Sequence, residues 1–419
     1  MKEMNETKED VARELYRRAK AWQLSEMRKR MPSDKQGAQL VVGGKKYVAF
    51  VRRLTPTECA RLQTVPDDYE FVTSETKTYH GLGNGWNIET IKHIFQFIPE
   101  EKKSNLKVLS LFDGISGGQM ALNGIGAHIS TYLASEIDKD AIANTMHNFP
   151  KTVQLGSVTD INVDELVEKY GVPDMLIGGS PCQSFSMSGK RKGMQTTEGE
   201  NVYTLDRYLQ LKSENFEFEG QSYLFWEYMR ILTELRKYNQ NILFFLENVE
   251  MENKWERCLS HAIGVQGVHI NSALVSAQSR KRIYWSNIKT KALPDTRLFP
   301  EEDDDNPFAI PLVITDIPQP KDRNIMVADI LQDHVDGKYY MKDATLKMMI
   351  GKTDTSKITD YFKTPQLSIS EVVEFLDSNP EYSSMTDEEK LDIARLGYNI
   401  EQGQLNAPRH ESGTDLFNV

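Results

Sequence analysis

Cysteine and long apolar runs are both scarce in this chain. The 419 residues include only three cysteines, Cys59, Cys182 and Cys258, and none of them form a C-x-x-C pair. This spacing excludes a disulfide framework and gives no sign of a structural zinc site, so we expect a reducing compartment and no metal. No run approaches the roughly 18 consecutive apolar residues of a membrane helix, and the N-terminus lacks the apolar core of a secretory signal. We therefore predict a cytoplasmic protein with no membrane partner.

Positive charge is also in short supply. The net charge is -11 at pH 7, which argues against a general nucleic-acid binder because contacts to phosphate favour basic surfaces. Two local basic clusters remain, at 190–192 and 280–282. The chain is 26% charged and 39% hydrophobic, as is usual for globular proteins. Its length indicates either one large domain with a smaller one or two domains of moderate size.

The apolar pattern predicts strands that alternate with helices. Strand-like runs occur at 108–112, 131–134, 175–177, 242–246 and 283–285. Helical apolar spacing occurs at 7–31, 91–98 and 224–235. This alternation predicts a parallel α/β sheet. Residues 186–222 are polar and long for a passive connection, which predicts a mobile functional loop, and the proline-rich stretch 290–325 is predicted to be a linker.

A glycine-rich turn follows the first of these strands. It reads Phe112-Asp113-Gly114-Ile115-Ser116-Gly117-Gly118. Such a turn allows backbone N–H groups and a helix N-terminus to approach a ligand. Glu136 ends the next strand, where a carboxylate can accept hydrogen bonds from two ribose hydroxyls. The pattern G-x-G-x-x-G is absent, so the residues favour an adenosine-containing ligand without a diphosphate over a dinucleotide.

Polar or reactive side chains lie at the ends of three further predicted strands. Cys182 follows the run 174–179, at the strand end where open α/β sheets bind their ligands. An isolated cysteine is usually inert and buried, but the polar loop that follows this one favours a reactive thiol. Glu247 follows the strand at 242–246 and is a candidate proton donor, although taken alone it is better explained as a surface glutamate at a strand end. Arg280 and Arg282 would face the same way in a strand and could hold a carboxylate, a phosphate or a base carbonyl.

Taken in this order, the segments resemble the cytosine-C5 DNA methyltransferases. The matching segments are S-L-F-D-G-I-S-G-G, A-S-E-I-D, G-G-S-P-C-Q-S-F-S, F-L-E-N-V and Q-S-R-K-R-I-Y. Two segments, G-Q-S-Y-L-F-W-E-Y and V-S-A-Q-S-R-K-R-I-Y-W-S-N, are also similar to the animal de novo DNA methyltransferase group. The resemblance implies an α/β fold with the Rossmann-like sheet of S-adenosylmethionine-dependent methyltransferases and a smaller C-terminal target-recognition domain.

The order of the motifs departs from that family. Its last two motifs normally close the chain, but here their likenesses come first, within 52–95, as R-L-T-P-T-E-C-A-R-L-Q and G-N-G-W-N. The sequence therefore resembles a circularly permuted member, which is physically reasonable because domain termini often lie close together. The expected divisions are an N-terminal helical segment at 1–44, a catalytic domain at 45–290, a linker at 291–325 and a target-recognition region at 326–419.

The resemblance also implies a role for each catalytic residue. The enzyme would transfer a methyl group from S-adenosyl-L-methionine to C5 of a cytosine flipped out of duplex DNA. Cys182 would add to C6 of the base and Glu247 would act at N3. Arg282 would hold the base O2, and Arg280 would support the Cys182 thiolate.

Cofactor and DNA contacts are implied in the same way. The cofactor-binding residues would be Phe112, Asp113, Gly114, Ile115, Ser116, Gly117, Glu136, Ile137, Asp160, Pro181, Leu224 and Asn84. The residues that contact double-stranded DNA would be Gln183, Ser186, Lys190, Arg191 and Lys192, on a loop that closes over the flipped base.

Three other functions are weighed against this one. The first is a tRNA cytosine-5 methyltransferase, which shares the motif set. The second is a catalytically inert DNA-binding relative, against which the presence of Cys182, Glu247 and both arginines argues. A nicotinamide oxidoreductase fits least because the glycine pattern is wrong. The sequence leaves open the DNA target, the oligomeric state and a restriction endonuclease partner, and we expect a bacterial or phage-encoded protein.

Overall fold

The chain divides into two units. The computed structural model describes residues 8–29, 38–42, 45–181, 194–295, 306–342, 344–345, 348 and 369–401. The larger unit comprises residues 56–331, and the smaller one combines 1–55 with 332–419. In these described ranges no helix has the length and apolar character needed to cross a membrane.

Helices and strands alternate along most of the larger unit. In the described ranges the strands are β1 (Ala38–Val42), β2 (Lys45–Ala49), β3 (Leu106–Leu111), β4 (Ile129–Ser135), β5 (Val153–Gln154), β6 (Met175–Gly179), β7 (Leu243–Val249), β8 (Val268–Asn271), β9 (Lys281–Ser286), β10 (Thr290–Ala292) and β11 (Val313–Thr315). The helices are α1 (Lys8–Lys29), α2 (Pro56–Leu62), α3 (Glu75–Asn84), α4 (Ile88–Phe95), α5 (Glu100–Lys103), α6 (Gly117–Gly124), α7 (Lys139–Asn148), α8 (Val163–Tyr170), α9 (Leu205–Ser213), α10 (Phe225–Tyr238), α11 (Asn253–Ile263), α12 (Val327–Ile330), α13 (Ile369–Ser378) and α14 (Asp387–Glu401).

A seven-stranded sheet forms the centre of the larger unit. Its strand order is β5-β4-β3-β6-β7-β9-β8. The first five strands are parallel, which confirms the predicted α/β class. The sheet is mixed rather than wholly parallel, because β9 runs antiparallel to both β7 and β8. The segment that joins β8 to β9 is too short for the crossover helix that a parallel pair requires.

Both faces of this sheet are buried. Strand β7 shows the alternation: Phe244 and Leu246 belong to one apolar cluster, which also contains α10, while Leu243 and Phe245 belong to a second, which contains α4 and α6. Successive side chains of a strand point to opposite faces, so an almost continuous apolar run is what a doubly covered strand needs. All five predicted strand runs fall on strands of this sheet.

The polar stretch after β6 is more ordered than its composition indicated. The prediction of a loop at 186–222 is wrong for residues 194–222, which contain α9. Val202, Tyr208 and Leu211 are buried in the first cluster, so a few apolar anchors among many polar residues are enough to fold this stretch onto the core. Residues 182–193 lie outside the described ranges.

The stretch predicted to be a linker also makes ordered contacts at both ends. Strand β10 pairs antiparallel with β11. Backbone hydrogen bonds join Gln266 to Val313 (2.8 Å) and to Thr315 (2.9 Å). Ile317 is buried in the second cluster. Residues 290–292 and 313–317 therefore pack with the larger unit.

The smaller unit brings together segments from both ends of the chain. Helix α1, which confirms the helix predicted at 7–31, packs on α13 and α14 through a small apolar core that includes Tyr16, Ala19 and Phe375. Residues 51–53 and 339–341 lie side by side: the Arg53 N–H donates to the Tyr339 carbonyl (3.0 Å), and the Met341 N–H donates to the Val51 carbonyl (2.9 Å). A target-recognition role for the C-terminal region stays a prediction.

Candidate active site

The glycine-rich turn after β3 adopts an unusual backbone conformation. Phe112, Gly114 and Ser116 have φ angles of 57°, 57° and 65°. For residues other than glycine this left-handed region is sparsely populated, and such residues cluster at functional sites. Helix α6 begins immediately afterwards, at Gly117. The turn thus presents its backbone at the carboxyl edge of the parallel strands, as the sequence predicts for a ligand-binding turn.

Glu136 is tied directly to this turn. Its Oε2 accepts a hydrogen bond from the Gly114 N–H (2.8 Å). Its Oε1 accepts from the N–H groups of Ile137 (2.7 Å) and Asp138 (2.8 Å). A carboxylate has about four lone-pair sites, and backbone amides fill three of them. One acceptor site therefore remains on Oε2, which suits a hydroxyl of a bound ribose.

Asp113 is a buried acid at the centre of the turn. Its Oδ1 accepts a hydrogen bond from the Tyr132 hydroxyl (2.8 Å), and its Oδ2 is buried with no hydrogen-bond partner among the described residues. Burial raises the pKa of the Asp113 carboxyl from 3.8 to about 6, although the nearby hydroxyls of Ser110, Tyr132 and Ser116 act in the opposite direction. The Asp113 carboxyl group therefore keeps its proton to a higher pH in the folded chain than in the unfolded one.

Asp113→Asn should stabilise the protein at neutral pH. The pKa of Asp113 is raised on folding, so its contribution to stability is fully present below pH 3.8 and is lost as the pH rises through about 6. Asparagine does not titrate, so the variant should gain about 3 kcal/mol over wild type at pH 8, since each unit of the pKa shift corresponds to about 1.4 kcal/mol, and the gain should vanish below about pH 4. Urea unfolding across this pH range measures the difference. A constant difference at every pH would contradict the prediction.

The remaining predicted cofactor residues lie around this turn and the first apolar cluster. Phe112 and Leu224 are half-buried against that cluster, whereas Val158 and Ile161, on either side of the exposed Asp160, are buried within it. Of the other predicted cofactor residues, Ile137 is 68% exposed, Asn84 is exposed at the end of α3, and Pro181 is half-buried. Ile115 is buried beside α3: a Cβ added to Gly81 of that helix would lie 3.1 Å from Ile115 Cγ2. Their roles toward the cofactor stay predictions.

The second group of candidate residues surrounds Glu247, near the end of β7. This carboxyl group is 9% exposed. Its Oε1 pairs with Arg282 Nε at 2.9 Å, and its Oε2 accepts a hydrogen bond from the Trp86 indole N–H at 3.2 Å. Gly179 is its register partner on β6, and a Cβ there would lie 2.8 Å from Trp86 Nε1 and 3.1 Å from Glu247 Oε2. Only glycine leaves room for this arrangement.

The neighbouring Asn248 holds the chain just before the predicted nucleophile. Its Nδ2 donates to Ser180 Oγ (2.9 Å) and to the Ser180 carbonyl (3.3 Å). Pro181 is the last described residue of that segment. Cys182 and the five predicted DNA contacts, Gln183, Ser186, Lys190, Arg191 and Lys192, lie outside the described residues.

Arg280 has different partners from Arg282. Its guanidinium donates to the carbonyls of Gly83 (3.3 Å) and Gly85 (2.9 Å), at the C-terminal end of α3. A cation is favourable at that end of a helix. Arg280 therefore holds the segment before Trp86 directly, whereas Arg282 is connected to Trp86 through Glu247. Support of Cys182 by Arg280 stays a prediction.

Comparison with known proteins identifies the family. The chain matches the C-5 cytosine-specific DNA methylase family over residues 1–100 and 106–263, which is more than half of its length. The chain belongs to this family.

Individual curated methyltransferases share less than 30% identity with this chain in the two comparisons that follow. The orphan methyltransferase M.SPRI of Bacillus phage SPR is 27% identical over 285 residues, which cover 62% of this chain and 58% of the phage protein. The DNA (cytosine-5)-methyltransferase DRM2 of Oryza sativa is 28% identical over 47% of this chain and 30% of its own length. A mutant DNMT2 structure from Spodoptera frugiperda superposes with a TM-score of 0.34 and 16% identity, over 72% of this chain and 98% of that one. The matched part of the chain thus covers between 30% and 58% of the length of these two curated relatives.

Three residues of the candidate site were missed by sequence reasoning. Trp86, Ser180 and Asn248 lie in the quoted motifs, yet no role was predicted for them. Each acts through a hydrogen bond to a residue more than 60 positions away. Spacing along the sequence carries no signal for such a bond. Among the residues described, no group of three His, Cys, Asp or Glu side chains could hold a metal ion.

Proposed function

We propose that this chain is a DNA (cytosine-5)-methyltransferase that acts on a cytosine in double-stranded DNA. The family supports the reaction class. The observation that carries the proposal is the buried Glu247, held by Arg282 and Trp86 and separated from Gly179 by a gap too small for a methyl group. Gly179, the register partner of Glu247, precedes Cys182 by three positions in the sequence.

The turn after β3 fits S-adenosyl-L-methionine as the cofactor. Phe112 and Leu224 offer apolar surface for an adenine, and Oε2 of Glu136 has an acceptor site for a ribose hydroxyl. The cofactor supplies an electrophilic methyl group when bound. Asp160 would accept from the adenine amine, and the turn at 114–117 together with Asn84 would contact the methionine part.

The protein residues would activate the base. The Cys182 thiolate adds to C6, and Glu247 forms a hydrogen bond at N3, so negative charge does not accumulate on the ring as C5 becomes nucleophilic. Arg282 orients Glu247 and would hold the base O2. After methylation, loss of the C5 proton and departure of the thiolate restore the aromatic ring. The base must leave the helix for this chemistry, and the basic loop that contains Lys190, Arg191 and Lys192 would then close over it.

The proposal includes a circularly permuted motif order. Residues 56–98 precede β3 in the chain, yet they share its core: Ile91, Ile94 and Phe95 of α4 lie in the same apolar cluster as Met120 and Ala121 of α6. The Trp86 indole from this early segment reaches Glu247. This arrangement supports a domain whose final motifs were moved to the front without loss of packing.

DNA is favoured over tRNA as the substrate. The family description and the plant relatives both name DNA methylation. Two phage relatives are named orphan methyltransferases, which favours an enzyme that works without a restriction endonuclease. Their origin also supports a bacterial or phage-encoded chain that acts in the cytoplasm.

A covalent trap tests the proposal. Duplex DNA that carries 5-fluorocytosine in varied sequence contexts, incubated with the protein and S-adenosylmethionine, should give a complex that survives denaturation, because fluorine cannot leave C5 as a proton does. Cys182→Ala should form none, and tRNA with the same base analogue should react far less. An adduct on tRNA alone would favour the RNA enzyme, and folded protein that gives no adduct with DNA would refute the proposal.

A further inference from the structure

A buried carboxylate lies outside the candidate site, in helix α10. The Glu227 side chain is 0% exposed. Its Oε1 accepts from the Tyr208 hydroxyl (2.5 Å) and pairs with Lys212 Nζ (2.5 Å), and its Oε2 pairs with Arg230 Nε (2.8 Å). A buried ion pair is retained at a high desolvation cost, and removal of one partner leaves an uncompensated charge. Such a cluster therefore calls for a reason beyond stability.

The two cations of this cluster also bind the segment that carries Asp160. Lys212 Nζ donates to the Thr159 carbonyl (3.4 Å). Arg230 Nη2 donates to the carbonyls of Val158 (3.4 Å) and Ile161 (3.1 Å). Three of the four carbonyls at 158–161 are thus held by side chains that pair with Glu227, and Arg230 also pairs with Glu234 at 3.1 Å.

Asp160 itself remains available on the other side of the segment. Its side chain is exposed, and its Oδ1 accepts a hydrogen bond from its neighbour Thr159 (3.1 Å). Leu224 ends the short helix Ser222–Leu224 that leads into α10, three residues before Glu227. The start of α10 therefore carries both Leu224, proposed as apolar surface for the adenine, and Glu227, whose cation partners bind the segment that contains Asp160.

We propose that Glu227, with Lys212 and Arg230, positions Asp160 to recognise the adenine amine of the cofactor. The carboxylate pairs with both cations, and these cations fix the backbone at 158–161. This inference rests on the proposed function, because it assumes that Asp160 contacts an adenine. Glu227 is a positioning residue: it acts through the segment and touches no ligand.

The test uses two ligands that differ by the amine alone. Calorimetry on the full chain compares S-adenosylhomocysteine with its analogue that has purine in place of adenine. Wild type should bind the adenine form roughly tenfold or more tightly, the effect expected for a hydrogen bond to a charged group. Asp160→Ala should remove this preference. Glu227→Gln should weaken binding and bring the preference below about threefold, because the segment loses its anchor.

Two further variants separate positioning from general destabilisation. Leu235→Ala empties part of the apolar core on the same helix, where Leu235 is 0% exposed, so it should lower Tm and keep the full preference for the amine. Lys212→Gln removes a cation whose side chain is 36% exposed; it should fold even if Glu227→Gln does not, and it should also reduce the preference.

The outcomes distinguish this inference from the proposed function. If wild type binds neither ligand, the proposed function fails. If wild type prefers the amine and Asp160→Ala abolishes that preference, but folded Glu227→Gln or Lys212→Gln keeps it, the positioning role is overturned. If Leu235→Ala loses the preference to the same extent as Glu227→Gln, the effect is general destabilisation and the inference also fails.

Discussion

Replacing Glu247 with glutamine should lower kcat for methyl transfer to DNA roughly 10²- to 10⁴-fold, the usual contribution of a positioned acid or base. Glutamine keeps the size of the side chain and can still accept from the Trp86 indole N–H. It removes the charge that pairs with Arg282 at 2.9 Å and the proton that N3 of the base would share. Affinity for duplex DNA should change little. Transfer of a labelled methyl group under single-turnover conditions measures the effect on chemistry.

Glu250→Gln is the matched control for this prediction. Glu250 follows β7 directly, is exposed, and pairs with His269 at 3.6 Å. The same chemical change there should leave kcat within about twofold of wild type, because an exposed ion pair contributes little. Similar losses in both variants would mean that charge near the strand end, and not the role of Glu247, controls the rate.

Gly179→Ala should reduce methyl transfer by roughly 10²-fold, because a displacement of about 1 Å in a site has effects of this size. The added Cβ would lie 2.8 Å from Trp86 Nε1 and 3.1 Å from Glu247 Oε2. Neither group can stay where it is, so the indole-to-carboxylate hydrogen bond must lengthen or break. The Tm should also fall, since Trp86 packs edge-on against Phe245 with 5.3 Å between ring centroids.

Gly83→Ala provides the comparison for this steric prediction. A Cβ at Gly83 would meet nothing within 4 Å, and alanine keeps the carbonyl to which Arg280 donates. This variant should keep its Tm and its rate within about twofold of wild type, as surface substitutions generally do. Nearly wild-type kcat for Gly179→Ala would show that the close approach of Gly179 to Glu247 is not needed for catalysis.

Local pattern was enough to predict the sheet and the strand-end residues. The runs at 108–112, 175–177 and 242–246 coincide with β3, β6 and β7, because a strand covered on both faces must be apolar at nearly every position. Glu247, directly after the last of these runs, lies near the end of β7, which continues to Val249. The link between the Gly114 N–H and Glu136 follows from the same geometry, since adjacent parallel strands deliver both residues to one edge.

Contacts between distant residues could not be predicted in this way. Glu227 lies on α10, whose predicted apolar face begins with Leu224 and Phe225. A helix periodicity assigns polar residues to solvent, but α9 covers that side and buries the carboxylate. Helix α9 was itself missed because its stretch is mostly polar. The Trp86 indole likewise finds Glu247 across 161 positions, a pairing that only the folded chain reveals.

The pairing of residues 51–53 with 339–341 has a consequence for engineering. The chain leaves the smaller unit and returns to it at one place, where Arg53 and Tyr339 are joined by a 3.0 Å hydrogen bond. In a fragment cut just outside this pairing, the two ends would lie next to each other, held by these backbone hydrogen bonds. A short peptide could then join those ends and new termini could be opened ahead of β3, which, under the proposed permutation, would place the segment at 52–95 after the other motifs.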